Sequence, residues 1–149
     1  MPIVNESVHE PAGPTIDLLV GVSEARREVL ERNRLTVPPR VLVRALIDTG
    51  AGMSGIDHSV LKQLDLGAPI SQRKIHTSST APGNPHVCDE FAVGLFLPHA
   101  EGEMYLTSVL VVSTRFIAQE RAQALIGRDV LAHCHFTYNG TAGVFTLAF

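Results

Sequence analysis

The run Ala45-Leu46-Ile47-Asp48-Thr49-Gly50-Ala51 constrains the chain more than any other stretch, because an apolar segment ends abruptly in a carboxylate, a hydroxyl and a glycine. Residues Arg40 to Ile47 are rich in aliphatic and β-branched side chains and predict a strand entering a core. Such a strand delivers Asp48 to a partly desolvated position, where an unpaired charge is costly. Gly50 beside it permits a tight turn and close backbone approach. Two readings are open on these residues alone. One is an ordinary Asp-Thr-Gly turn, with Asp48 bonding the backbone two residues on. The other is a carboxylate placed for chemistry.

The longer pattern separates them. Asp48-Thr49-Gly50-Ala51-Gly52-Met53-Ser54-Gly55-Ile56-Asp57 is followed by Val60-Leu61 and Leu64-Asp65-Leu66-Gly67. This segment resembles the active-site segment of retropepsin-like aspartic proteases, which reads apolar-apolar-Asp-Thr-Gly-Ala, then a Ser or Thr, an aliphatic residue, a short helix-like stretch and a Leu-Gly turn. A second block, Ala124-Leu125-Ile126-Gly127-Arg128-Asp129-Val130-Leu131, resembles the family segment that packs behind the catalytic loop. The resemblance implies an all-β retropepsin-like acid protease barrel with one short helix, active as a homodimer. It assigns catalysis to Asp48, Thr49 and Gly50, cleft lining to Ala51 and Gly52, and structural support to Leu125, Ile126, Gly127, Arg128 and Asp129. It implies neither cofactor nor metal.

The chain holds a single Asp-Thr-Gly and no internal repeat, so it is not a two-lobed protease in one chain. By the resemblance, the second carboxylate is Asp48 of an identical subunit, and Thr49 bonds across the two-fold axis between them. The activity implied is hydrolysis of peptide bonds in peptide or protein substrates. The competing reading is a catalytically silent retropepsin-fold dimer that serves binding or assembly. Retroviral members carry an Asp after the Ala that pairs with the Arg of the second block, whereas this chain has Gly52. Arg128 therefore needs another partner, for which Asp129 and Asp57 are the candidates. Gly55 likewise replaces a commonly bulky residue. These departures place the pattern nearer the cellular and bacterial single-domain members than the viral ones.

Composition excludes other classes. A chain of 149 residues with 45% hydrophobic content is one domain's worth and is not wholly disordered. A net charge of −3 offers no basic face to nucleic acid or an anionic membrane. No apolar run reaches membrane-spanning length, and the N-terminus lacks a secretory layout, so a cytoplasmic protein is expected. The cysteines Cys88 and Cys134 suit a reducing compartment, although the sequence does not exclude a single bridge between them.

The segments outside the two blocks predict a flexible leader over residues 1–14 and a protease domain over 15–149. Within the domain, Thr15 to Val22 predicts a strand. Ser23 to Asn33 is densely charged, with Ser23 as an N-cap and Glu and Arg at helical spacing. It predicts a short exposed helix or a charged hairpin, and in the sharper reading a docking segment. Apolar positions between Ser54 and Leu66 fit one helical face closed by Gly67. Ile70 to His86 is polar and carries Thr80, Ala81, Pro82, Gly83 and Asn84 as the expected substrate-binding tip of a flap, or else a long surface loop stiffened by Pro82 and Pro85. Val87 to Pro98 and Met104 to Ser113 predict a hairpin, with Val109 to Val112 wholly inside the core. Phe116 to Gln123 predicts a polar connector, and Asn139-Gly140 a turn between the last strands. His133 and His135 would share a strand face, but no further motif completes a metal site. Neither Ser54 nor Ser59 sits in a nucleophile elbow.

Overall fold

The computed structural model describes residues 1–8, 12–77, 80–100, 102–115 and 122–149. Ser78 and Ser79 of the expected flap, Glu101 of the hairpin turn and residues 116–121 of the expected connector lie outside them.

Among the described residues, ten strands and three short helices follow in the order β1 (Ile3–Ser7), β2 (Thr15–Val22), α1 (Glu24–Arg32), β3 (Val41–Ile47), β4 (Gly55–Asp57), α2 (His58–Gln63), β5 (Ser71–Ile75), β6 (His86–His99), β7 (Gly102–Thr114), β8 (Ala124–Ile126), α3 (Arg128–Leu131), β9 (His135–Asn139) and β10 (Val144–Ala148). Seven strands form one sheet in the order β2-β3-β8-β4-β7-β6-β5, and a further β2–β6 pairing closes six of them into a barrel. Closure removes exposed edges that would otherwise pair with other chains. Inside it, Leu18 and Val20 of β2, Val43 and Ala45 of β3, Leu95 of β6, Val111 of β7 and Ile126 of β8 are almost wholly buried. Alternation along β2 and β3 sends every second side chain into this core, as the strand period requires.

Strand β8 sits between β3 and β4. It pairs parallel to β3, with Ala45 opposite Ala124 and Ile47 opposite Ile126, and antiparallel to β4, with Gly55 opposite Leu125. The chain segment 48–54, which links β3 to β4, must therefore pass around the end of β8. That topology brings the two sequence blocks together.

Several elements differ from the expectation. Residues Ile3–Ser7, expected within a loose leader, form β1 and pair antiparallel with β10, Ile3 opposite Ala148 and Ser7 opposite Val144. Val4 and Val8 pack against the core. Proline and glycine density outweighed this short apolar pair, whose partner strand lies at the far end of the chain. The helix predicted over Ser54 to Leu66 is shorter, because Gly55–Asp57 is the strand β4, placed between β7 and β8. Asp57 then caps α2 by accepting hydrogen bonds from the Ser59 amide at 2.8 Å and its hydroxyl at 2.6 Å. The helix ends at Gln63 with Leu64 as its C-cap, and Asp65 rather than Gly67 takes the first left-handed position after it (φ 46°). Among the described residues three helices, not one, decorate the barrel.

The charged stretch is the helix α1, capped by Ser23, whose hydroxyl accepts from the Arg26 amide at 3.4 Å. Arg27 pairs with Glu24 and, at 3.0 Å, with Glu31, the predicted helical spacings. The helix is tied to its own barrel through Leu30, which is buried, and through the Tyr105 hydroxyl, which donates to Glu24 at 2.8 Å. The long β6–β7 hairpin is present, with Leu97 opposite Met104. Leu110 in β7 is 37% exposed, so the Val109 to Val112 run is buried at Val111 and Val112 rather than throughout. The last hairpin turns through residues 140–143, where the Ala142 amide donates to the Asn139 side chain at 3.0 Å.

Candidate active site

Strand β3 ends at Ile47, and the Asp48 amide still donates to the Ile126 carbonyl of β8 at 2.9 Å, which fixes the start of the following loop. Asp48 is half-buried, while Thr49 and Gly50 are exposed. The Asp48 carboxylate accepts from the Gly50 amide at 2.8 Å, and its carbonyl accepts from the Ala51 amide at 3.2 Å. The Asp-Thr-Gly turn of the plainer reading thus exists, and it presents the carboxylate at the end of a core strand. A Cβ on Gly50 would lie 3.1 Å from the Asp48 carboxylate oxygen, a tight approach that glycine relieves.

The second block holds this loop from behind. The Arg128 amide donates to the Ala51 carbonyl at 3.0 Å. The Arg128 guanidinium donates to the carbonyls of Thr49 at 2.9 Å and Gly50 at 3.2 Å. Gly127 lies so close to the loop that an added Cβ would meet the Met53 carbonyl carbon and oxygen at 2.6 Å. Only a residue without a side chain fits there. Leu125 and Ile126 supply the β8 register that carries Gly127 to this position.

Asp129 and Ser54 form the buried centre of the contact. The Ser54 amide and hydroxyl donate to the two Asp129 oxygens at 2.9 and 2.8 Å, and the Gly127 amide donates to the Ser54 hydroxyl at 3.0 Å. The Val130 amide donates to Asp129 at 2.9 Å. Ser54 is fully buried, so each of these bonds replaces one that water cannot make. Ser54 was absent from the sequence-based site. The signal was present in the motif's Ser or Thr three residues after the Ala.

Arg128 has therefore not gained an acid. Neither candidate serves, since Asp129 is spent on Ser54 and Val130, and Asp57 caps α2. Peptide carbonyls of the Asp48–Ser54 loop take the guanidinium instead.

The structure brings Asp48, Thr49, Gly50, Ala51 and Gly52 together with Leu125, Ile126, Gly127, Arg128 and Asp129. The segment Thr80, Ala81, Pro82, Gly83 and Asn84 lies apart in sequence, at the end of the β5–β6 hairpin whose last pair is Ile75 with His86. Among the described residues its hydrogen bonds are local, from the Thr80 amide and hydroxyl to the Thr77 carbonyl and from the Asn84 amide to the Ala81 carbonyl. Gly83 takes φ 79°, the left-handed turn position that favours glycine.

Glu90 anchors the base of this hairpin. It is 3% exposed, and Ser71 and Arg73 of β5 both donate to its carboxylate. The Ser71 hydrogen bond, followed by the Arg73 guanidinium, holds its carboxyl below the usual glutamate range. His133 lies in the turn before β9, not on the strand with His135, so the shared-face arrangement fails. Both cysteines are free thiols.

No family model matches the chain, and no curated protein matches it. Among solved structures, the chain is similar to a retropepsin-like aspartic protease from Rickettsia conorii, with a TM-score of 0.61 at 12% identity, over 99% of this chain and 90% of that one. It is also similar to the EIAV protease complexed with the inhibitor HBY-793, at 16% identity and a TM-score of 0.41, over 80% of this chain and 86% of that one. The closed barrel and the first of these likenesses give the chain a retropepsin-like fold. No helix among the described residues is long and apolar enough to cross a membrane.

Proposed function

We propose that this chain is an aspartic endopeptidase that works as a homodimer, with Asp48 from each subunit forming the catalytic pair. The observation that supports it most is the placement of Asp48: a half-buried carboxylate at the end of a core strand, on a loop braced by β8 and α3 within a retropepsin-like barrel.

The chemistry requires two carboxylates. Like charges about 3 Å apart do not both ionise, so one acid of the pair stays protonated. The ionised one removes a proton from a water held between them, and the water oxygen adds to the scissile carbonyl carbon. The protonated one gives its proton to the carbonyl oxygen. The tetrahedral diol then collapses: one of its hydroxyls returns a proton to the ionised carboxylate as the C=O reforms, the C–N bond breaks, and the departing nitrogen takes the proton of the other carboxyl, which leaves the pair sharing one proton again. Since the chain has one Asp-Thr-Gly, the other carboxylate is the partner subunit's Asp48. Thr49, which is exposed in the single chain, bonds across the axis in this reading. Ala51 and Gly52 line the cleft, and residues 80–84 at the hairpin end close over substrate.

The test compares peptide cleavage and sedimentation for the wild type and Asp48→Asn. Loss of cleavage in a variant that keeps the fold and the dimer supports the reading. A stable wild-type dimer that cleaves nothing points to the silent binding or assembly module.

A further inference from the structure

Arg128, the first residue of α3, places a positive charge against the Asp48–Ser54 loop that no carboxylate among the described residues answers. It is exposed, and no ion pair reaches it within 4.0 Å among the described residues. Its side-chain contacts are both carbonyls, Thr49 at 2.9 Å and Gly50 at 3.2 Å, and both use the same nitrogen, Nη1. A guanidinium has five N–H donors in a planar fork, so Nη2 and Nε remain to receive a partner. The space beside Nη2 is open because residue 52 has no side chain: a Cβ built there would sit 3.7 Å from Nη2, at ordinary contact distance. An acid at position 52 would fill that space and neutralise the charge.

We infer that Arg128 is a specificity-determining residue, which reads an acidic side chain of the peptide substrate through the gap left at Gly52. This rests on the protease reading and names a substrate class for it. The anchoring to Thr49 and Gly50 fixes the guanidinium relative to Asp48, so the acid falls at one set position from the scissile bond. A fixed fork loses little freedom on pairing with a carboxylate, and the planar bidentate geometry rejects the neutral amide of the same shape. The site is exposed, which keeps the preference modest and dependent on salt.

The experiment uses matched peptide libraries that differ only in Glu or Asp against Gln or Asn, cut by the wild type, Gly52→Asp and Arg128→Gln. The wild type is expected to favour the acid about 3- to 10-fold in kcat/KM at one position, less at high salt. The acid-to-amide ratio is expected to fall to about 1 in both variants, in Gly52→Asp because the protein supplies its own carboxylate to Arg128. If Arg128→Gln fails to fold, having lost the carbonyl anchors, the Gly52→Asp ratio decides alone. Equal turnover of acid and amide peptides by the wild type, with cleavage still lost in Asp48→Asn, overturns this inference and leaves the protease reading standing. An acid preference that survives Gly52→Asp also overturns it. So does dissociation of the Arg128→Gln dimer without any wild-type acid preference, which would assign the guanidinium to a subunit contact. Failure of the wild type to cut any peptide overturns both readings.

Discussion

Ser54 has no exposed surface, yet its amide and hydroxyl make three hydrogen bonds across the two sequence blocks, two to Asp129 and one from Gly127. Its replacement by Ala leaves the buried Gly127 amide without an acceptor and Asp129 without one donor. Ser54→Ala is expected to cost about 1–3 kcal/mol in urea unfolding and to lower any peptidase activity with it, through the loop that carries Asp48. Unchanged stability would show that water replaces the hydroxyl. Glu90 offers a test in pH. Its folded carboxyl titrates below the ordinary value of 4.5, through Ser71 first and Arg73 second. The stabilisation is therefore complete above the unfolded value and is lost as pH falls through the lower folded one. Glu90→Gln is expected to destabilise the protein by about 1–2 kcal/mol at pH 7, with the deficit shrinking as pH falls through the lowered folded value. A deficit that stays constant with pH would detach the charge from the stabilisation.

The elements that carry the site are those whose signal is local. A strand ending in Asp48 and a Leu-Ile-Gly-Arg-Asp run are continuous patterns, and both fold as read, because each side chain that matters is within a few residues of the turn it makes. What was not legible depends on distant partners. Nothing near Ile3 and Val4 announces β10, which lies at the other end of the chain. The motif could say that Arg128 lacks its acid, but only the folded loop shows the Thr49 and Gly50 carbonyls in its place. Ile56 fits a helical face on spacing alone, yet tertiary pairing with β7 and β8 draws it into a strand. The β1 pairing is itself testable. Removal of residues 1–7 is expected to strip hydrogen-exchange protection from amides of Val144–Ala148 that face β1, while the barrel strands keep theirs. Full retention of protection in β10 would mean that β1 contributes no stable pairing.

For the whole molecule, the closed barrel organises one feature at a cost, the passage of residues 48–54 around the end of β8. Gly127, with no room for a Cβ against Met53, and the Ser54–Asp129 contact make that passage rigid. A rigid loop matters for the proposed chemistry, since two carboxylates that share a proton must be held at short range, and misplacement of one relaxes the coupling. Activity of such a pair is expected to peak below neutral pH and to fall as the shared proton is lost. A profile flat to about pH 9 would contradict a coupled pair.

The most direct measurement is cleavage of a mixed peptide library across about pH 4–7 by the wild type and Asp48→Asn, with sedimentation of both. The account predicts that the wild type cuts as a dimer, and that Asp48→Asn sediments as the same dimer and cuts nothing. Cleavage that persists in Asp48→Asn, or cleavage by a strictly monomeric wild type, would contradict it.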